Sequence, residues 1–261
     1  MRELQRWRGV LLVAPVLVAS IVLGLSGQLA LYIHPRYIVF TMVLSAIALA
    51  ILVASVLVRR RGHEHGHEHG HEPDEFDDPD VPRGRSRVVA ITAFATAAVA
   101  AVLLLALPPA TLSSETASQR DIVGSSSSAD AETFADADAA PTAAFAAFTV
   151  LEWSALLRQT QDPAFYDGKP VEVVGFITPD PAGSSDIFYV SRFKITCCAV
   201  DAAPSGIPVY YPDWSTEFAA DDWVQVSGAI DTNPSADSEQ ALAVLPASVT
   251  PIEEPGDPYL Y

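Results

Sequence analysis

The sequence predicts a multi-domain membrane protein: three transmembrane α-helices, then a disordered linker, then a small all-β (OB-like) barrel with a short leading helix. Three observations carry this expectation. Three long apolar runs lie within the first 108 of 261 residues. A stretch rich in Ser, Ala, Thr and Asp follows at 109–148. Beyond residue 149, short β-prone segments recur between Pro, Gly, Asp and Ser clusters.

The membrane domain is expected at 1–108, with spans at about 10–31, 37–58 and 88–107. Crossing the hydrocarbon core takes about 20 mainly apolar residues in a helix. The second and third runs meet that with no charged residue inside. The first is shorter unless Ser26, Gly27 and Gln28 are included, and Pro15 is a kink point within it. A retained helix is favoured over a cleaved leader, because no clear small-residue cleavage site follows and the second run comes almost at once.

Basic residues set the expected orientation. Arg2, Arg6 and Arg8 precede the first run. Arg59, Arg60 and Arg61 follow the second, and Arg83, Arg85 and Arg87 precede the third. The expectation is a multi-pass plasma-membrane protein. Its N-terminus and the loop 59–87 would be cytoplasmic, and its C-terminal domain extracytoplasmic. Residues 108–261 hold 23 acidic and 5 basic residues, a net −18. That balance excludes a polyanion partner, since nucleic-acid affinity rests on neutralising phosphates.

Inside the loop, His63, His65, His67, His69 and His71 alternate with Gly and Glu. Imidazoles at every second position on a flexible backbone chelate borderline metals, zinc or another transition metal. Glu64, Glu68, Glu72 and the acidic stretch 74–80 raise the local cation concentration. A solvated polar loop is the plainer reading of the same run.

The linker 109–148 contains the serine run 125–128 and alternating Ala and Asp at 135–140. So few large apolar groups cannot offset the entropy of ordering, which predicts a flexible tether. Structure resumes at 149–261. Thr149 and Glu152 have capping-box spacing, and Val150, Trp153 and Leu157 share a face of a short helix ending near Thr160. Strands are expected at 171–177, 187–196, 209–211, 223–230 and 241–245, with 249 as the alternative end of the last. Glycines such as Gly175 and Gly228 permit sharp strand bends at barrel corners.

The two cysteines are adjacent, Cys197 and Cys198. A bond between them closes almost no loop and so does little to brace a fold. Neighbouring Cα atoms lie about 3.8 Å apart, below the usual disulfide span of about 4.4–6.8 Å. Such a bond is strained and easily reduced. The pair suits a redox switch or soft-metal ligation, with Asp201 available as a third, oxygen ligand for zinc. No histidine follows His71, which removes a Cys–His dyad from this domain. No P-loop, Gly-x-Ser-x-Gly or His-Glu-x-x-His pattern occurs, and the protein is read as a non-enzyme.

Four phrases carry a family resemblance. They are Tyr166-Asp167-Gly168-Lys169, Val174-Gly175-Phe176-Ile177, the segment 192–202 with its Cys-Cys-Ala-x-Asp-Ala core, and 222–228. On these the chain resembles the YcgQ-like family of bacterial permease subunits, which has no firmly assigned substrate. The resemblance implies a partner, a separate multi-span permease. Two functional expectations result. The first is an accessory subunit of a membrane transport system, with a cytoplasmic metal-binding His loop and an extracytoplasmic site at Cys197, Cys198 and Asp201. The second is a membrane-anchored thiol redox or metal-chaperone protein.

Overall fold

A computed structural model describes residues 2–62, 95, 96, 99, 111–120 and 141–261. It divides into two compact units, Met1–Ala110 and Thr111–Tyr261.

The first unit contains α1 (Arg2–Leu25) and α2 (Pro35–Gly62), packed against each other. Gly27, in the left-handed region at φ 78, ends α1, and a 3-10 turn at Gln28–Leu31 follows. This break is the physical reason the first apolar run does not continue to residue 31. The described apolar part of α1, Val13–Leu25, is therefore too short for a span. In α2, Pro35 takes the first helical position, where a missing N–H costs nothing. Among the described residues only Pro35–Ser55, 21 residues of mean hydropathy 2.6, is long and apolar enough to cross a membrane. The third expected span, 88–107, falls almost wholly outside the described residues. The expected three-span membrane domain is therefore corrected to one candidate helix among the described residues. The multi-pass topology, with its cytoplasmic and extracytoplasmic faces, goes with it.

The second unit takes in residues assigned above to the tether. Helix α3 (Ser114–Gln119) packs on the sheet, and a 3-10 turn at Thr142–Ala147 places Phe145 in the core. Helix α4 (Val150–Gln159) begins with the expected capping box: the Thr149 hydroxyl accepts from Leu151 N, and Glu152 Oε2 accepts from Thr149 N at 2.8 Å. Trp153 and Leu156 are fully buried on its inner face. A one-turn helix, α5 (Pro163–Tyr166), follows, capped by Asp162.

Six strands make one sheet: β1 (Val171–Pro179), β2 (Ile187–Lys194), β3 (Ala203–Tyr210), β4 (Trp223–Thr232), β5 (Leu242–Pro251) and β6 (Tyr259–Leu260). Their order is β1-β4-β5-β3-β2-β6, with β1 also pairing β2. The expected five-stranded OB-like barrel is corrected here. β3 and β5 meet at one registered pair, Val209 with Val244, so the sheet does not close as a continuously hydrogen-bonded barrel. β1 serves β4 over 171–176 and β2 only over 176–179, and the rest of that β2 edge goes to β6.

The inward residues alternate: Val171, Val173 and Ile177 on β1, Phe188 and Val190 on β2, Ile207 and Val209 on β3, and Val224 and Val226 on β4. Burying one face of each strand in this way supplies most of the unit's stability. Two glycines permit close backbone approach. A Cβ on Gly175 would sit 2.5 Å from Ser191 O, and one on Gly228, at a register shift, 2.3 Å from Leu245 O.

Candidate dithiol site

The site is the turn from β2 into β3. Strand β2 ends at Lys194, and the chain makes a short 3-10 helix at Ala199–Asp201 before β3 begins. Cys198 is the N-cap of that helix, in extended conformation. Its sulfur accepts from the Asp201 amide, while the Asp201 side chain accepts from the Cys198 amide. This is a capping box with a thiol in place of the usual hydroxyl.

Asp201 does more than close the box. Its Oδ2 accepts from Cys197 N at 2.7 Å, and its Oδ1 from Thr196 N at 3.2 Å and Cys198 N at 3.3 Å. One carboxylate thus gathers three successive amides. The Cys197 thiol beside it is the largest influence holding Asp201 below the usual carboxylate range. The Asp201 carboxylate, and after it Cys198, push the Cys197 thiol up to about 12. The two sulfurs lie 3.6 Å apart, both reduced, with Cys197 exposed and Cys198 half-buried.

This geometry corrects the metal reading. Both Asp201 oxygens are occupied by backbone amides. Among the described residues no group of three or more His, Cys, Asp or Glu is placed to hold a metal ion. His63, His65, His67, His69 and His71 lie outside the described residues. With one candidate span and no metal cluster among the described residues, the metal-linked accessory subunit and its multi-span permease partner lose their structural basis.

Sequence reasoning named Cys197, Cys198 and Asp201, and the structure brings all three together. It missed the supports around them. Arg120, just past α3, donates to Ala202 O beside the turn. Arg192 is buried where β1 leaves β2. Its Nε donates to Pro258 O at 2.9 Å, and its Nη2 to Asp257 O at 2.6 Å. The guanidinium lies 5.2 Å from the Trp223 ring, and burial lowers its pKa. The tail it holds forms β6, and Ile195 N donates to Leu260 O at 2.9 Å, beside the thiols. A lone arginine inside the apolar strand 187–193 was the available signal for this clamp.

Fold and site define a two-unit chain whose C-terminal unit presents a capped vicinal dithiol at a strand end. The chain matches the family model of the DUF1980 N-terminal domain over residues 9–123 and that of the DUF1980 C-terminal domain over residues 150–261. These matches carry the family resemblance as far as that pair of domains. No curated protein and no solved structure matches the chain.

Proposed function

We propose that the C-terminal unit is a non-enzymatic vicinal-dithiol redox module, in which Cys197 and Cys198 cycle between dithiol and intramolecular disulfide by exchange with an external disulfide. The observation that supports this reading is two sulfurs 3.6 Å apart at an exposed turn. They are the thiols of the Cys-Cys-Ala-x-Asp-Ala phrase on which the YcgQ-like resemblance rests. The absence of histidine after His71 is consistent with exchange chemistry rather than acid–base catalysis.

The exchange balances as follows. Cys198, as thiolate, attacks one sulfur of the external disulfide, and the released thiolate takes up a proton. Cys197 then loses its proton and attacks the Cys198 sulfur of the mixed disulfide, expelling the second thiolate, which is also protonated. Two protein thiols lose two electrons and two protons, and the external disulfide gains them as two thiols. Because the bond joins adjacent residues, the oxidised form is strained and readily reversed.

Incubation with glutathione disulfide and mass analysis of the full-length protein tests this. Wild type is expected to end as the intramolecular disulfide without bound glutathione. Cys197→Ser and Cys198→Ser each block ring closure, so they accumulate a single mixed disulfide or none. Wild type ending as the glutathione adduct, or not reacting, would overturn the proposal.

A further inference from the structure

Strands β2 and β3 send Phe188, Val190, Ile207 and Val209 into the core, so Tyr189, between two of them, faces the other way. Across from Tyr189 on β3 stands Pro208, and two residues before it Gly206 pairs with Ser191. Neither brings a long side chain, which leaves room beside the phenol. The end of α4 and the segment before β5 enclose that room without filling it. Leu157, Arg158 and Gln161 line it from one element and Gln240 from the other. Arg158 lies in the last turn of α4, where positive charge suits the helix carbonyls. The result is a cavity of about 340 Å³ within the C-terminal unit. That is the volume of roughly ten waters and within the range of small-molecule pockets.

Tyr189 is 1% exposed, yet its hydroxyl has no hydrogen-bond partner among the described residues. Buried polar groups are as a rule hydrogen-bonded, so the phenol is a group that a guest would satisfy. Burial, and after it the charges of Asp180 and Glu239, hold its pKa well above the ordinary phenol value, so it stays a donor. Gln240 makes its hydrogen bonds through its backbone, which leaves its amide to the cavity.

Arg158 is the one charged side chain among the described lining residues. A guanidinium, a phenol and two amides form a donor-rich set, and a carboxylate accepts on both its oxygens. Asp180 and Glu239 act on Tyr189 from outside that lining, so a dianion such as phosphate meets more repulsion than one cation offsets. Leu157 and Pro208 offer apolar wall to the rest of the molecule.

We infer that this cavity binds a small organic monocarboxylate, its oxygens held by Tyr189, Gln161, Gln240 and Arg158 and its apolar body against Leu157 and Pro208. The inference goes beyond the dithiol chemistry and does not depend on it.

Isothermal titration of full-length protein with benzoate, benzamide and inorganic phosphate tests it. Benzoate is expected to bind saturably at one site. Benzamide, of the same shape without the charge, and phosphate are each expected to bind at least about tenfold more weakly. Tyr189→Phe removes a hydroxyl that has no partner in the free protein. Its thermal midpoint is expected to match wild type while benzoate affinity falls about tenfold. Arg158→Gln is expected to remove the advantage of benzoate over benzamide. Absence of saturable benzoate binding would leave the cavity to water and overturn the inference. Equal affinity for benzoate and benzamide, phosphate binding as tightly as benzoate, or unchanged benzoate affinity in Tyr189→Phe would also overturn it. A lowered midpoint in Tyr189→Phe would show the hydroxyl already engaged and count equally against it.

Discussion

Asp201 organises the site through charge and hydrogen bonding rather than as a ligand. Its carboxylate raises the pKa of the neighbouring Cys197 thiol, and that thiol in turn lowers the pKa of Asp201. A thiol at about 12 is almost wholly protonated at neutral pH, and the thiolate is the reactive species. In a Cys198→Ser background, which keeps a good N-cap, Asp201→Asn is expected to speed iodoacetamide alkylation of Cys197 at pH 8 by at least about tenfold. An unchanged rate would show that Asp201 does not hold the proton. The pH dependence has two arms. The folded pKa of Cys197 lies above its ordinary value of 9.0, so its contribution to the turn is complete below that pH and is lost as pH rises toward about 12. The Asp201 value lies below its ordinary 3.8, so its contribution is present above that pH and is lost as pH falls. Amide NMR signals of residues 196–198 are expected to hold between about pH 4 and pH 9 and to shift outside that window. The three site residues were legible in the sequence because vicinal cysteines are conspicuous. Their arrangement was not, because Cys-x-x-Asp reads as a ligand set unless the thiol is seen as a capping hydroxyl's analogue.

At the scale of elements, the strands with β-branched and aromatic alternation were legible, as was the capping box that starts α4. Most of β3 was not, because Pro204, Gly206 and Pro208 carry turn chemistry and only its pairing with β2 keeps them extended. β6 is two residues long and exists because Arg192 and the β2 edge hold it, which no local pattern announces. Arg192→Met leaves the carbonyls of Asp257 and Pro258 without their donor. It is expected to cost about 3 kcal/mol in urea unfolding and to expose the tail to proteolysis. Gly228→Val pushes a side chain into Leu245 O at the register shift and is expected to cost about 2 kcal/mol or more by the same measurement. Full stability in either variant would contradict the role assigned to that residue.

For the whole molecule, composition separated two unlike halves but misplaced what joins them. Serine and alanine content made 109–148 look like a tether, yet Ala117 and Phe145 are fully buried in the C-terminal unit. A few well-placed contacts order 111–120 and 141–148, although their average hydrophobicity is low. Residues 111–261 are therefore expected to unfold cooperatively on their own. Trimming to 149–261 removes Phe145 from the core, and the thermal midpoint is expected to drop by at least about 6 °C. An equal midpoint would return 111–148 to the status of a linker. Counting apolar residues overestimated the first span, because run length ignores where a backbone break such as Gly27 ends a helix.

The central claim is that Cys197 and Cys198 form a reversible two-electron couple, and equilibrium titration of full-length protein in glutathione redox buffers tests it most directly. Alkylation and mass analysis at each ratio of reduced to oxidised glutathione give the fraction of intramolecular disulfide. The account predicts one transition, independent of protein concentration, at a potential above the roughly −300 mV typical of structural disulfides. A pair that stays dithiol at every ratio, or that oxidises only between molecules, would contradict it.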